Sequence, residues 1–310
     1  MAQLNFLCLL GLTGTGKTSL ALDLARKYPI AIINFDSRQV YQDFPIVTAQ
    51  PSIEEQQVCP HYLFGFLKVY EQINAGQFVC LAEEKIKQVS EQKRLPVLVG
   101  GTGLYLRALL LGLAPIPPIS EEIRQKVTQW EQEKGLAFLY EYLSKVDLEY
   151  ASKIHFNDKQ RIKRALEVYF QTGKPFSTWH KKQEQNVTKY NCLKIGLKMD
   201  LSLLTDFLAQ RIDKMIQTGA IEEVKQAWLK YGDKSLPGFS GIGIPEIIEY
   251  LEGKVNFIEM KLKWLKNTRA YAKRQLTWFK KESNVIWNTP ANVRELKKEI
   301  EKWLKQLNYF

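Results

Sequence analysis

The chain has 310 residues, 45% hydrophobic and 25% charged, a balance that excludes a disordered or fibrous protein and allows one large domain or two smaller ones. Lys and Arg number 44 against 33 Asp and Glu, so the formal net charge is +11, which points to an anionic partner: nucleic acid, a phosphorylated substrate or a membrane surface. Four cysteines (Cys8, Cys59, Cys80, Cys192) without a C-x-x-C pair, and three scattered histidines, argue against a disulfide framework or a structural zinc site and for a reducing cytoplasm.

The first segment, MAQLNFLCLLGL, has an apolar run too short for a membrane span and lacks the basic lead-in of a signal peptide. It reads as a buried strand over 5–10. GLTGTGKT (11–18) follows, and SLALDLARKY then suits a buried helix. AIINF (31–35) is a second strand with Asp36 at its end. Residues 83–94 read as a charged helix, PVLVGG (96–101) as a third strand, and GLYLRALLLGL (103–113) as a helix. Apolar strands alternating with helices predict a parallel α/β sheet.

The pattern breaks at APIPPIS (114–120), a stiff proline joint. Only helical signals follow over 120–183, among them RIKRALEVYFQTGK with an apolar stripe at 162, 165, 166 and 169, closed by Gly173. Sheet character returns in CLKIGLKM (192–199), and helices are predicted over 201–218, 220–231, 244–252, 258–281 and 291–307. The fold expected is a P-loop NTPase-like parallel sheet flanked by helices, with an all-helical insertion. The core takes 1–116 and 190–310, and the insertion 117–189.

Gly11, Gly16, Lys17 and Thr18 satisfy G-x-x-x-x-G-K-[ST] in full, in the strand–loop–helix context that the motif needs. Gly11, Leu12, Thr13, Gly14, Thr15 and Gly16 would turn backbone N–H groups around phosphate oxygens. Lys17 would reach the distal phosphates, the Thr18 hydroxyl could ligate Mg²⁺, and the helix N-terminus adds positive potential. The motif predicts a di- or triphosphate without choosing between them. An NTPase needs an acid at the end of a buried strand for its metal. PVLVGG has none, and Asp36 lies in DSRQVYQ, among residues suited to a base or a sugar.

In order, GLTGTGKTSLAL (11–22), DSRQVYQDFPIVTAQP (36–51), PVLVGGTGLYLRALL (96–110), NDKQRIKRALEVY (157–169), RIDKM (211–215) and RAYAKRQLTWF (269–279) resemble the tRNA dimethylallyltransferase, or tRNA isopentenyltransferase, family over nearly the whole chain. The resemblance implies that the loop grips the diphosphate of dimethylallyl diphosphate. The dimethylallyl group then passes to the N6 amine of adenine 37 of a tRNA, beside the anticodon. It implies Asp36 as acceptor of the amine proton, Thr102 as a hydrogen-bonding group that positions adenine or diphosphate, and Arg211 as a cation on the leaving group, with Mg²⁺ as cofactor. Thr13 or Thr15 would touch the prenyl diphosphate. Asp36, Ser37, Arg38, Gln39, Thr102, Arg124, Gln160, Arg161, Ile162, Lys163 and Arg164 would face the tRNA anticodon stem-loop.

Charge agrees with such a partner. Residues 153–194 hold 10 Lys/Arg and 3 Asp/Glu, a net of 10 − 3 = +7, and 260–281 hold 8 Lys/Arg and no acid, with Trp264, Tyr271, Trp278 and Phe279 interleaved. Such stretches suit phosphate contact with base stacking, and the plainer reading is a solvated helix face over core aromatics. Two motifs depart from the family pattern: Val47 and Gln50 replace a glycine and a lysine, and Ile244 and Pro245 replace an aromatic and a basic residue. Both changes bear on tRNA affinity. The absence of a C-terminal zinc finger suggests a bacterial or organellar type, and a monomer is expected. The rivals are a nucleotide kinase, a non-catalytic RNA-binding P-loop protein, and a relative that prenylates free AMP.

Overall fold

The computed structural model describes residues 4–183 and 190–307 and divides the chain into two compact units, Met1–Leu109 with Lys189–Phe310, and Leu110–Thr188. In the first unit β1 (Leu4–Gly11) leads through the glycine loop into α1 (Lys17–Ala25), and β2 (Ile30–Asn34) follows. Then come α2 (Ile53–Val58), β3 (His61–Tyr62), α3 (Ala75–Glu91), β4 (Leu95–Val99) and α4 (Gly103–Leu111). The second unit holds α5 (Glu121–Val146), α6 (Leu148–Ala151), α7 (Lys159–Thr172) and α8 (Phe176–Gln183). The chain returns to the first unit with β5 (Tyr190–Leu197), α9 (Leu201–Gln217), α10 (Ala220–Tyr231), α11 (Ile244–Leu251), α12 (Phe257–Phe279), β6 (Val285–Asn288) and α13 (Val293–Gln306).

The six strands form one parallel sheet in the order β3-β2-β4-β1-β5-β6. Parallel strands are covered on both faces, which is why β2 and β4 are buried along their whole length and read as unbroken apolar runs. Register places the site. Val99 pairs with Leu9 on one side and Asn34 on the other, so β4 and β2 end level and β1 runs on to Gly11. Ligands of such sheets sit outside the carboxyl ends of the strands. The glycine loop, Gly100–Thr102 and Asp36 therefore meet at one edge.

One apolar layer packs α1 and α13 on the sheet through Leu20, Leu24, Leu296, Ile300 and Leu304. A second joins Val40, Phe44 and Val47 to α10, α11 and α12. A small third layer of Leu12, Leu204, Leu208 and Ala272 sits beneath the glycine loop.

Local chemistry explains where the sequence reading stopped short. α3 starts at Ala75 rather than 83, because Asn74 and Gln77 form a reciprocal capping box. β3 and β6, with two and four residues, are too short for a periodic signal. β6 is fixed by tertiary contact: a Cβ on Gly196 would lie 2.5 Å from the Trp287 ring, so this crossing needs glycine.

The second unit is all helical. Gly135, with φ 81° and ψ 166°, breaks α5 into two stretches. Its core includes Val127, Leu139, Leu143, Ile162, Leu166 and Phe176. Buried Asp147 accepts from the Tyr150 N–H at 3.1 Å and the Ser177 N–H at 2.8 Å, and so ties α6 to α8. Among the described residues no helix is long and apolar enough to cross a membrane.

Candidate active site

The glycine loop is shaped by close approach. A Cβ on Gly11 would stand 2.1 Å from the Leu197 carbonyl oxygen, and Gly14 and Gly16 take φ of 81° and 84°, which L side chains avoid. Thr15 is buried and its hydroxyl donates to the Leu12 carbonyl at 2.8 Å, so Thr15 braces the loop from within. Leu12 is wholly buried. Of the two loop threonines expected to reach a ligand, Thr13 is the one that lines a cavity.

That cavity has a volume of about 720 Å³ and lies within the first unit. Its polar wall includes Lys17, Thr18, Asp36 and Arg211. Val47, Leu208, Ile212 and Met215 make an apolar wall. The Lys17 ammonium donates to the Gly11 and Leu12 carbonyls, at 3.1 and 2.7 Å. Burial draws its pKa down to about 8, Asp36 opposes that shift and Arg211 adds to it. Arg211, on α9, is likewise shifted down by burial and held up by Asp36. Neither cation has an ion-pair partner among the described residues.

Asp36 is held rather than free. Buried Asn34, at the end of β2, accepts from the Asp36 N–H at 2.7 Å and donates to the Asp36 and Leu63 carbonyls, at 3.0 and 2.8 Å. The Asp36 carboxylate accepts from the Arg38 N–H at 2.9 Å. The Thr102 hydroxyl accepts from the Ser37 N–H at 2.9 Å. The strand ends thus bring Asp36, Ser37 and Thr102 together.

The sequence reading missed several supports. The Gln275 amide joins the Thr13 N–H to the Gly101 carbonyl. Tyr271, a turn earlier on α12, has its phenol pKa raised by burial and by Asp36, with Thr102 and Gln275 facing it. A Cβ on Gly103 would touch the Trp278 ring at 3.0 Å. Glu223 accepts from the Ile46 and Val47 N–H groups, at 2.7 and 2.8 Å, and holds a loop on the cavity wall. Burial raises its pKa to about 7 against those two bonds. Three of these residues lie inside RAYAKRQLTWF, but a charge count could not separate its inner face from its outer one.

Geometry also corrects the reading of the basic stretches. Trp264 and Phe279 are buried core residues rather than surface rings, and Trp264 borders the cavity. Ile162, expected to face tRNA, is 0% exposed in the core of the second unit. Its neighbours are outward: Arg124, Gln160 and Arg161 are exposed, and Lys163 and Arg164 half-buried. The Gln39 amide donates to the Thr48 and Ala49 carbonyls, at 3.0 and 2.7 Å, and braces the cavity loop. Exposed Arg38 donates to the Ser240 hydroxyl at 2.7 Å. The departures from the motif have structural uses. Val47 is buried on the cavity wall and the Gln50 amide donates to the Tyr41 carbonyl. Ile244 is core, and Pro245 stands in the first turn of α11, where no N–H is missed.

The family model described as IPP transferase matches residues 39–282. This chain belongs to the IPP transferase family. It is 52% identical to the tRNA dimethylallyltransferase of Maridesulfovibrio salexigens over 96% of each chain. It is 46% identical to the tRNA dimethylallyltransferase of Lawsonia intracellularis, over 96% of this chain and 98% of that one. Among solved structures it resembles the full-length tRNA isopentenylpyrophosphate transferase of Bacillus halodurans, with TM-score 0.71, 32% identity and 98% of each chain covered. It also resembles a eukaryotic dimethylallyltransferase acting on tRNA, with TM-score 0.80, 28% identity, and 92% of this chain and 74% of that one covered. The chain is therefore a transferase.

Proposed function

We propose that this protein transfers the dimethylallyl group of dimethylallyl diphosphate to the N6 amine of adenine 37 in tRNA, giving N6-(dimethylallyl)adenosine and diphosphate. The observation that carries the reading is the grouping of Lys17 and Arg211, two cations without an ion-pair partner among the described residues, with the Asp36 carboxylate on one cavity that has an apolar wall. A prenyl diphosphate needs both, the cations for its phosphates and the apolar wall for its carbon chain.

The steps follow from the charges. The bond between prenyl C1 and the diphosphate oxygen breaks, and the electron pair leaves with diphosphate. Loop N–H groups, Lys17 and Arg211 stabilise that growing negative charge. The N6 lone pair forms the new N–C bond, and the amine proton passes to Asp36. Asn34 holds the Asp36 backbone and the Arg38 N–H holds the carboxylate, so little reorganisation is left for the reaction. Thr102, with Ser37, positions the base.

Magnesium fits the donors present. Thr18 lies in the first turn of α1 on the cavity wall, with no hydrogen-bond partner among the described residues. No cluster of three or more His, Cys, Asp or Glu suited to a metal occurs among the described residues, so the ion would take Thr18 and the substrate's own phosphate oxygens, the hard donors it favours. When bound, it supplies neutralising charge to the diphosphate. The protein works in the cytoplasm as a monomer, with the exposed basic residues of the second unit, Arg124 and Arg161 foremost, contacting the tRNA backbone.

The test is a transfer assay with Mg²⁺, labelled dimethylallyl diphosphate and unmodified tRNA, with AMP in a parallel reaction and nucleosides read by mass. Prenylated adenosine from tRNA alone is expected. Label in AMP moves the protein to the AMP-prenylating branch. No label, with ATP consumed instead, gives the loop to a nucleotide.

A further inference from the structure

The two loops that follow the neighbouring strands β1 and β4 are joined by one side chain. Gln275 lies on α12 and is 3% exposed. Its Oε1 accepts from the Thr13 N–H at 2.8 Å, and its Nε2 donates to the Gly101 carbonyl at 3.2 Å. The neutral amide accepts at one end and donates at the other, without placing a charge between the loops. The contact is also close. A Cβ on Gly101 would stand 2.0 Å from Gln275 Nε2 and 3.6 Å from Asp36 Oδ2, so the loop passes between the amide and the carboxylate with no room for a side chain. Tyr271 on the same helix face looks towards Asp36 and Thr102.

These contacts have a mechanical meaning. Thr13 belongs to the loop assigned to the diphosphate, and Gly101 to the loop that carries Thr102. We propose that Gln275 is a positioning residue that sets the distance between the leaving diphosphate and the aligned adenine. The inference rests on the prenyl-transfer reading for its reaction, and on the hydrogen bonds for its geometry. A shift of about 1 Å between reacting groups costs about 10²-fold in rate, and that is the range in which such a residue acts.

The test uses the full chain with Gln275→Met, which keeps the volume and removes both bonds, and Gly101→Ala, which forces the same contact apart. Both are expected to lower the single-turnover transfer rate about 10- to 100-fold at saturating substrates. The dissociation constant for tRNA should stay within about twofold of wild type, since the bonds removed anchor the diphosphate loop. The double variant should be no slower than the slower single, since both changes break one contact. Calorimetry with inorganic diphosphate supplies a reading that needs no transfer. Gln275→Met should bind it more weakly than wild type, because the Thr13 end of the loop is no longer anchored. If both variants only lower the melting temperature, and leave the transfer rate and the diphosphate affinity within about twofold, Gln275 is merely structural and the inference is overturned. If the wild type transfers no prenyl group yet Gln275→Met still weakens diphosphate binding, the reaction assignment fails and the loop anchoring stands.

Discussion

Lys17 and Lys163 carry the same charge in opposite circumstances. Lys17, in the cavity of the first unit, donates to two backbone carbonyls and has no carboxylate within ion-pair distance among the described residues. Lys163, on α7 of the second unit, lies 3.2 Å from Glu131 and donates to the Thr128 hydroxyl at 2.8 Å. Its neighbours are also paired. Arg161 lies 2.9 Å from Asp158, and Arg164 3.8 Å from Glu167. A cation kept without a counter-ion in a confined site is a stored cost that an anionic ligand relieves. An exposed cation in a pair, as Arg161 is, gains little from its acid and can exchange it for a phosphate with little loss. The first arrangement suits a reaction, and the second suits a broad, salt-sensitive grip on nucleic acid.

Removing the stored charge is the strongest way to break that contrast. Lys17→Met should lower kcat/KM for dimethylallyl diphosphate by about 10³-fold, the upper range for losing one pre-set stabiliser of a developing anion. The ligand-free protein should become more stable at pH 7, because burial disfavours the charged amine. Since the native pKa lies near 8 against the ordinary 10.5, the unfolded chain binds a proton that the native chain lacks between those values. Wild-type stability should therefore rise with pH across that window, and Lys17→Met should not share the rise. Over the same window kcat/KM should fall, as the free enzyme loses the cation that receives diphosphate. A variant with unchanged stability in both conditions would leave Lys17 an ordinary solvated amine.

Asp36→Asn comes next, with an expected loss of about 10²-fold in transfer rate and unchanged tRNA affinity. Arg211→Gln should raise the KM for dimethylallyl diphosphate about tenfold, the scale of one charge-assisted contact, without a drop in melting temperature. An unchanged KM would take Arg211 off the diphosphate.

The same contrast explains what could be read from residues alone. The phosphate loop was legible because its chemistry needs glycines and a lysine at fixed spacing, and strand, loop and helix follow each other locally. Asp36 was visible at the end of an apolar strand, and its expected role and that of Thr102 came from the resemblance to the family rather than from the residues alone. Asn34, Gln275 and Glu223 were not legible. Each acts through a fold contact: Asn34 reaches Leu63 across 29 residues, Gln275 reaches Thr13 across 262, and Glu223 reaches Ile46 across 177. Nothing in the local pattern of INFDS or KRQLTWF distinguishes such a residue from a solvated one. The aromatics of α12 were misread for a related reason. A helix with charge all along its length still has an inner face, and Trp264 and Phe279 occupy it.

The smallest effects separate two neighbours within α7. Ile162→Ala removes a fully buried side chain from the core of the second unit and should destabilise that unit by about 2–5 kcal/mol, read by thermal or denaturant unfolding. Arg161→Ala removes one end of an exposed pair with Asp158 and should cost under about 1 kcal/mol. Its effect should be on binding instead. For duplex nucleic acid, each phosphate that a cation no longer neutralises lowers the slope of log K against log salt by about 0.9. Arg161→Glu with Arg164→Glu should therefore flatten that slope for tRNA by about one to two units. The transfer rate at saturating tRNA should hold, since neither residue lines the cavity. A flattened slope with an intact rate places these arginines on the tRNA backbone. An unchanged slope leaves Arg161 and Arg164 to their acids, as a solvated face whose charge is already answered within its own helix.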